Sequence, residues 1–401
     1  MTDTELFLID ILASYISNKK PSLPASFDRL ALFELCRIHK LIPIAWSCLN
    51  RYCKDEIPDE FLESLKKASH IEIARQISKS RALENLCSAL TARGIKYAVV
   101  KGITLRAIYP EPDLRISNDE DILTEGVDFD KAKDLILSLG FTERETPNAE
   151  TNVLTFTDEA SGLPIELHNS LFPHTGELNT RSASLFDGAT DSLSYIDVDG
   201  CRIATLSPTD SFLFLVLHSF KHFVYCGFGL RQVSDFALFG KQNSEAIDHR
   251  RVLSALKTVS AEGFFDAMLS IADRYFGISP ADMGFSDYKI THSDTDDLMS
   301  DIISGGAYGN SSPERIHASL MTVTSADSGK SVSFLRTLFP PYSVMKERYP
   351  FVSRHKALLP AGWVARIVTR GLGKKREYDA SETVEIGRAR VAMLKKYGVL
   401  K

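Results

Sequence analysis

Residues 115–126, RISNDEDILTEG, decide the fold because they set acidic side chains at the start of a buried strand. Side chains alternate faces along a strand, so Asp119 and Asp121 point the same way, with Cα atoms about 6.6 Å apart. Glu120 then faces the opposite side, and Glu125 belongs to the turn beyond the strand. A carboxylate pair on one face can hold Mg²⁺, which binds carboxylate oxygens, waters and substrate phosphates. Taken alone, the pattern also fits a solvated strand end.

Two neighbouring segments favour the metal site. Upstream, YAVVKGITL (residues 97–105) indicates a strand, a turn at Gly102 and a helix, and such a turn can bind an anion through backbone N–H groups. Downstream, LPIELHN (residues 163–169) places Glu166 inside an apolar strand, with His168 on the same face. A carboxylate in such a run is costly unless it is paired or binds a metal. The segments together predict an anion-binding turn, a carboxylate pair and a third carboxylate.

The periodicity of the apolar residues divides the chain into five regions. They are a helical region (1–94), an α/β core (95–206), a helical domain (207–278), a loop-rich linker (279–332) and an apolar, basic arm with a last helix (333–401). Within the core we predict a helix with Asp128 as N-cap and Gly140 just beyond its end, and a hairpin turning at Asp199 and Gly200. The predicted fold class is α+β, an α/β core with a mixed sheet flanked by helical regions.

Composition narrows the class of protein. The 401 residues are 44% hydrophobic and 25% charged, with a formal net charge of −5, which argues against a general polyanion binder. The six cysteines form no C-x-x-C pair and fall mostly in apolar runs, so we expect buried reduced thiols rather than disulfides. The first residues lack a basic segment, and no uncharged apolar run reaches the ~18 residues that span a bilayer. A cytoplasmic protein is expected.

The segment YAVVKGITLRAIYPEPDLRISNDEDILT (residues 97–124) resembles the core of the polymerase-β-like nucleotidyltransferase superfamily. It is more closely similar to a bacterial family of uncharacterised nucleotidyltransferases, which shows K-G-x-x-L, Y-P, R-x-x-x-D-x-D and a later E-x-H. The resemblance includes LHSFKH, LRQVSD and the tail LFPPYSVMKERYP, and so runs from about residue 95 onward. The chain departs from the superfamily at the turn, where Gly102 lies between Lys101 and Ile103 instead of preceding Gly or Ser.

The resemblance implies Mg²⁺-dependent (or Mn²⁺-dependent) transfer of a nucleotidyl group from a nucleoside triphosphate to a hydroxyl acceptor. Asp119 and Asp121 would bind two metal ions, and Glu166 would complete the second site and orient the acceptor. The residues expected to contact the nucleotide are Lys101, Gly102, Arg115, His168, Lys221 and Arg231. The acceptor stays open between a sugar, another small molecule, a protein side chain and an RNA end.

Two histidines four residues apart, His218 and His222, share one face of a predicted helix. They could bind a metal or substrate, or they could pack at the joint between the helical domain and the core. With His168 they raise the alternative of a zinc hydrolase, although the sequence shows no third ligand at zinc-site spacing. A further alternative is a catalytically silent binding scaffold on the same fold. Asp235, four residues after Arg231, is expected to be its helix ion-pair partner.

The tail interleaves aromatic and basic residues. They are Tyr342, Tyr349 and Trp363 with Lys346, Arg348, Arg354, Lys356, Arg366 and Arg370. This pattern fits a nucleic-acid or membrane-surface contact, or an apolar arm that packs across the helical domain with its cations in solvent. We favour the packed arm. The last helix is predicted to begin with Asp379 as N-cap and Glu382 in a capping box.

Overall fold

Four helices precede the first strand in the computed structural model, which describes residues 1–144, 153–174, 176–308, 349–363 and 380–400, together with Arg315, Tyr342, Met345 and Ala365. They are α1 (Asp3–Ser17), α2 (Arg29–His39), α3 (Ile42–Tyr52) and α4 (Asp59–Ala92). The segment after Pro58 is a single helix of 34 residues. It ends at Ala92, and Gly94, two residues further on, has the positive φ of +64° that suits a glycine beyond a helix C-terminus.

A five-stranded sheet forms the core. Its strands are β1 (Ala98–Val99), β2 (Glu120–Leu123), β3 (Thr142–Arg144), β4 (Val153–Asp158) and β5 (Leu163–His168). The order is β1-β2-β5-β4-β3, and β2 pairs with β5 in parallel while the other pairs are antiparallel. The predicted mixed sheet and α+β class are therefore confirmed. Short α5 (Ile103–Arg106) and α6 (Val127–Ser138) connect the strands.

Strand β2 is buried on both faces because it lies between two hydrophobic cores. Ile122 joins Leu86 of α4 and Ile136 of α6 in one core, and Leu123 belongs to the core of the helical regions. Alternation places Asp121 on the same face as Leu123. The parallel register pairs Asp121 with Glu166 and Leu123 with His168, so the polar side chains of β2 and β5 meet on one face.

The chain continues as a second set of helices around a two-stranded hairpin. The elements are α7 (Glu177–Ser184), β6 (Ser194–Val198), β7 (Cys201–Thr205), α8 (Pro208–Tyr225), α9 (Leu230–Gln242), α10 (His249–Thr258) and α11 (Glu262–Phe276). Asp199 and Gly200 form the hairpin turn with positive φ angles, as predicted. The Ser207 hydroxyl caps α8 by accepting from the Asp210 N–H at 3.1 Å.

Two local predictions are wrong. Helix α6 begins at Val127 after Gly126, and Asp128 instead accepts a hydrogen bond from the Lys96 N–H. Helix α12 (Asp296–Gly305) lies inside the segment expected to be a loop, because its apolar residues recur at helical spacing and bury against the helical core. The tail contains α13 (Pro350–Arg354) and α14 (Ala380–Lys396).

Several predictions on the tail fall outside the described residues. They concern Lys346, Arg348, Arg366, Arg370 and the N-cap Asp379. All six cysteines are free thiols, four of them buried. Within the described ranges, no helix has both the length and the apolar character that a membrane crossing requires.

A buried ion pair joins the core to α9. Both Arg115 N–H edges lie 2.7 Å from the carboxylate oxygens of Asp235, and the two side chains are only 3% and 5% exposed. The Tyr109 hydroxyl donates to the same carboxylate at 2.8 Å, and Arg115 donates to the Gly102 carbonyl at 3.1 Å. Asp235 is therefore the partner of Arg115, and its predicted pairing with Arg231 is wrong because the guanidinium of Arg231 reaches the Ile116 carbonyl.

We predict that Arg115→Met lowers the free energy of unfolding by about 3–5 kcal/mol, because Asp235 is left buried and uncompensated. The double variant Arg115→Met, Asp235→Leu should recover much of that loss, since it removes both charges. Arg144→Met, which removes an exposed ion pair with Glu159, serves as the control and should cost less than about 1 kcal/mol. Urea unfolding monitored by circular dichroism measures all three, and equal losses at Arg115 and Arg144 would contradict the prediction.

Candidate active site

Three side chains on β2 and β5 converge on one point. His168 Nε2 lies 3.0 Å from Asp121 Oδ1 and 3.5 Å from Glu166 Oε2. Among the described residues, these three form the group of possible metal ligands whose donor atoms all lie within 4.8 Å of one another. The parallel register of β2 and β5 creates the group, because it sets Asp121 beside Glu166 and His168 one step further along the same face.

The group opens into a cavity of about 300 Å³ between the sheet and the helices α8 and α9. Asp119 lines this cavity directly before β2 but lies outside the compact ligand group. The opposite wall carries Lys221 from α8 and Arg231 from α9. Leu171, Phe214 and Leu215 supply an apolar wall. The cavity thus has acidic, basic and apolar sides.

Lys101 forms an ion pair with the central acid. Its Nζ lies 2.8 Å from Asp121 Oδ2 and donates to His218 Nε2 at 3.3 Å. Burial disfavours both charges, but the attraction of Asp121 and Asp119 outweighs it and raises the pKa of Lys101. Burial likewise opposes ionisation of Asp121, yet Lys101 and His168 outweigh it and lower the pKa of Asp121. Both members of the pair are therefore charged at neutral pH.

The pKa of Asp119 shifts upward, opposite to that of Asp121. Burial raises its pKa, Lys101 opposes this, and the nearby negative charges of Asp121 and Glu166 raise the pKa further. Burial and the two neighbouring carboxylates therefore disfavour the charged form of Asp119. A positive ion near these carboxylates would remove that repulsion.

The first three N–H groups of the helix after Gly102, which were expected to help bind an anion, all have partners within the protein. The Ile103 N–H donates to Glu120 Oε2 at 2.9 Å, and the next two N–H groups donate to the carbonyls of Lys101 and Gly102. Helix α5 is a single turn of four residues. The Glu120 side chain therefore occupies the first N–H group of the helix that was expected to help bind an anion.

Glu120, which alternation along the strand turns away from Asp119 and Asp121, supports this turn from the far side of β2. Its second carboxylate oxygen accepts from the Ser117 hydroxyl at 2.8 Å. Burial raises the pKa of Glu120 to about 7, although the hydrogen bonds from Ile103 and Ser117 oppose the shift. Glu125 belongs to a separate contact, where it accepts from the Gly188 and Thr190 N–H groups.

The cavity cations differ in their partners. Arg115, predicted to contact phosphate, is neutralised by Asp235. Lys221 and Arg231 form no ion pair with any carboxylate in the described part of the chain, and Arg231 is only 8% exposed. Burial and the charge of Lys101 lower the pKa of Lys221. The helical wall therefore carries two cations that act on the acids across the cavity without a direct carboxylate contact.

His218 and His222 pack against each other with ring centroids 4.5 Å apart. His218 accepts from Lys101, and His222 Nδ1 lies 3.3 Å from Cys226 Sγ. Burial lowers the pKa of both rings, to about 3 for His222, so both are neutral. Neither ring joins the ligand group around His168, so the three-histidine zinc site is not assembled.

The donor set of the compact group fits a divalent cation. Two carboxylates and one imidazole nitrogen are ligands that Mn²⁺ and related ions accept, and Asp119 stands close by as a further oxygen donor.

A family described as uncharacterised nucleotidyltransferase matches residues 25–277 of the chain. The chain belongs to this family. The match includes most of the N-terminal helices and ends at α11, before the tail that we expected to belong to it.

A solved structure offers a fainter likeness. The nucleotidyltransferase-like antigenic protein from Paracoccidioides brasiliensis is 12% identical, with a TM-score of 0.31. The alignment covers 50% of this chain and 92% of that one. No curated protein sequence matches the chain.

We predict that Gly102→Ala destabilises the protein more than Gly126→Ala does. Both glycines precede a helix with nearly the same backbone angles, φ +64° and +58°, so both substitutions carry a backbone cost of about 1–3 kcal/mol. A Cβ at Gly102 would also overlap the Glu120 carboxylate, whereas nothing lies within 4 Å of one at Gly126. Urea unfolding should show a further loss of about 1–3 kcal/mol for Gly102→Ala. Equal losses for the two variants would contradict the prediction, because they would mean that the Glu120 side chain moves away from the new Cβ at no cost.

A second prediction concerns the pH dependence that Glu120 imposes. The pKa of Glu120 is about 7 in the folded protein and near 4.5 in the unfolded chain, so the folded state binds the proton more tightly. The free energy of unfolding therefore falls as the pH rises from about 4.5 to 7. Glu120→Gln should remove up to about 3 kcal/mol of that fall. Unfolding free energies of the wild type and the variant, measured in chelator from pH 4.5 to 8, test this. Parallel curves would contradict it.

Proposed function

We propose that the protein transfers a nucleotidyl group from a nucleoside triphosphate to a hydroxyl acceptor. The observation that carries the proposal is the opposition of charges across one cavity, in a chain of a nucleotidyltransferase family. Acids from β2 and β5 form one side, and cations from α8 and α9 that have no direct carboxylate partner form the other. This is the arrangement that a metal-bound polyphosphate needs.

The cations of the helical wall would hold the phosphates. A buried guanidinium without a carboxylate partner is costly, and a phosphate group is a suitable bidentate partner for it. Arg231 meets this description, whereas Arg115 is already neutralised by Asp235. Lys221 lies on the same wall, and Lys101 links this wall to Asp121. Side chains would thus replace the backbone N–H groups of the turn.

The acids would serve the reacting centre. A divalent cation, Mg²⁺ or Mn²⁺, would supply positive charge at the α-phosphate, where charge develops. Asp121 would hold it, and Asp119 and Glu166 would add oxygen donors. Glu166 is the most accessible of the group, with 39% of its side chain exposed, so it would orient the acceptor hydroxyl and take its proton.

The proposed reaction forms a bond between the acceptor oxygen and the α-phosphorus and breaks the bond between that phosphorus and the bridging oxygen. Pyrophosphate leaves with the bond's electron pair, and the acceptor proton passes to Glu166 and then to solvent. The cavity of about 300 Å³ lies at the lower end of ligand-site volumes, so the acceptor or the base would extend beyond it.

The test is transfer of label from α-³²P- and γ-³²P-nucleoside triphosphates in a cell extract, with Mg²⁺ or Mn²⁺ present. We expect the α-label, and not the γ-label, to reach an acceptor. Asp121→Asn and Glu166→Gln should reduce transfer on the order of 100-fold or more, because each removes charge from the reacting centre. Asp134→Asn, an exposed change on α6, is the control and should transfer as the wild type does.

Two outcomes would count against the proposal. Transfer of the γ-label would indicate phosphoryl transfer instead. Metal-dependent nucleotide binding by calorimetry without transfer to any component of the extract would favour the silent scaffold.

A further inference from the structure

We propose that the imidazole of His168 is a direct metal ligand and that the site therefore prefers Mn²⁺ to Mg²⁺. The inference rests on the proposed function and deepens it, because it identifies the ion by the chemistry of its ligands. It also changes the ligand set expected from the sequence, in which Asp119 and not His168 accompanied Asp121 and Glu166.

The distances suit one six-coordinate ion. Bonds of about 2.1 Å to adjacent ligands of an octahedral ion place the donor atoms about 3.0 Å apart. His168 Nε2 lies 3.0 Å from Asp121 Oδ1 and 3.5 Å from Glu166 Oε2. These three atoms can therefore share an ion with small side-chain adjustments, while the cavity beside them leaves the remaining positions to water and phosphate oxygens.

Lys101 and the proposed metal ion would contact different oxygens of Asp121. Its Nζ contacts Asp121 Oδ2, and the histidine side of that carboxylate presents Oδ1. Asp121 can thus bind an ion through one oxygen and keep its ion pair through the other. Lys101 remains placed to attract phosphate at the edge of the metal site.

The ligand chemistry decides between the ions. Mg²⁺ strongly prefers oxygen donors and retains its waters, whereas imidazole suits the transition metals better. A site in which one of three protein ligands is a nitrogen therefore loses affinity for Mg²⁺ relative to Mn²⁺. Asp119, the other carboxylate of the expected D-x-D pair, lies outside the compact group, so the third ligand beside Asp121 and Glu166 is an imidazole and not a carboxylate.

The experiment is pulsed electron paramagnetic resonance on the full chain with Mn²⁺ bound, together with calorimetric titration of Mn²⁺ and of Mg²⁺. We expect ¹⁴N modulation from a coordinated imidazole in the wild type and about 100-fold tighter binding of Mn²⁺ than of Mg²⁺. In His168→Asn the nitrogen signal should vanish, and Mn²⁺ affinity should fall about 10–100-fold while Mg²⁺ affinity changes little. The matched control is His174→Asn, which changes an exposed histidine that does not line the cavity. It should keep the wild-type nitrogen signal and the wild-type affinities for Mn²⁺ and Mg²⁺.

Each result has a distinct meaning. A wild-type Mn²⁺ spectrum without ¹⁴N modulation would overturn the inference without relying on any variant. An unchanged Mn²⁺ to Mg²⁺ affinity ratio in His168→Asn would overturn it as well, provided that circular dichroism shows the variant folded. If nucleotide and Mg²⁺ bind normally in either case, the proposed function survives. If the wild type binds neither ion, with or without nucleotide, the proposed function fails too.

Discussion

The parallel pairing of β2 with β5 is the constraint on which the rest of the site depends. It sets Asp121 directly beside Glu166 and brings His168 alongside. A shift of one residue would turn the acids toward the opposite core and bring apolar side chains to the cavity. The register is fixed because Ile122, Ile165 and Leu167 are fully buried in one core while Leu123 is buried in the other. Apolar packing thus positions the polar atoms.

The sheet supplies only one side of the site. The acids face α8 and α9, whose cations lie across the cavity, and the Arg115–Asp235 pair fastens α9 to the core beneath the Gly102 turn. A buried charged pair contributes little net stability but is costly to break. Its structural consequence is a fixed distance between the acidic strands and the basic helices. The helical domain is therefore part of the site and not an appendage to it.

Much of the site could be predicted from local pattern. Strand alternation predicts that Glu166 and His168 share one face of their strand, because a period of two depends only on the strand itself. Asp119 lies directly before β2, so it lines the cavity but stands outside the group that Asp121 forms with Glu166 and His168. The partner of Arg115 could not be found in this way, since Asp235 is 120 residues distant and the nearer Arg231 fitted helix spacing. The hydrogen bond that Glu120 accepts from the Gly102 turn could not be predicted either. The face of Glu120 was predicted, but its contact with Ile103 depends on how the turn folds back against β2.

The Gly102 turn explains why the helical wall carries so much charge. Where a turn offers free N–H groups, the backbone can hold a phosphate, and the surrounding side chains need little charge of their own. Here Glu120 occupies the Ile103 N–H, and the following N–H groups bond within the turn. A polyphosphate in the cavity would be held by Lys101 from the turn after β1, Lys221 from α8 and Arg231 from α9. Because two of these cations lie on α8 and α9, packing of the helical domain against the sheet would govern nucleotide affinity as directly as the acids would govern metal affinity.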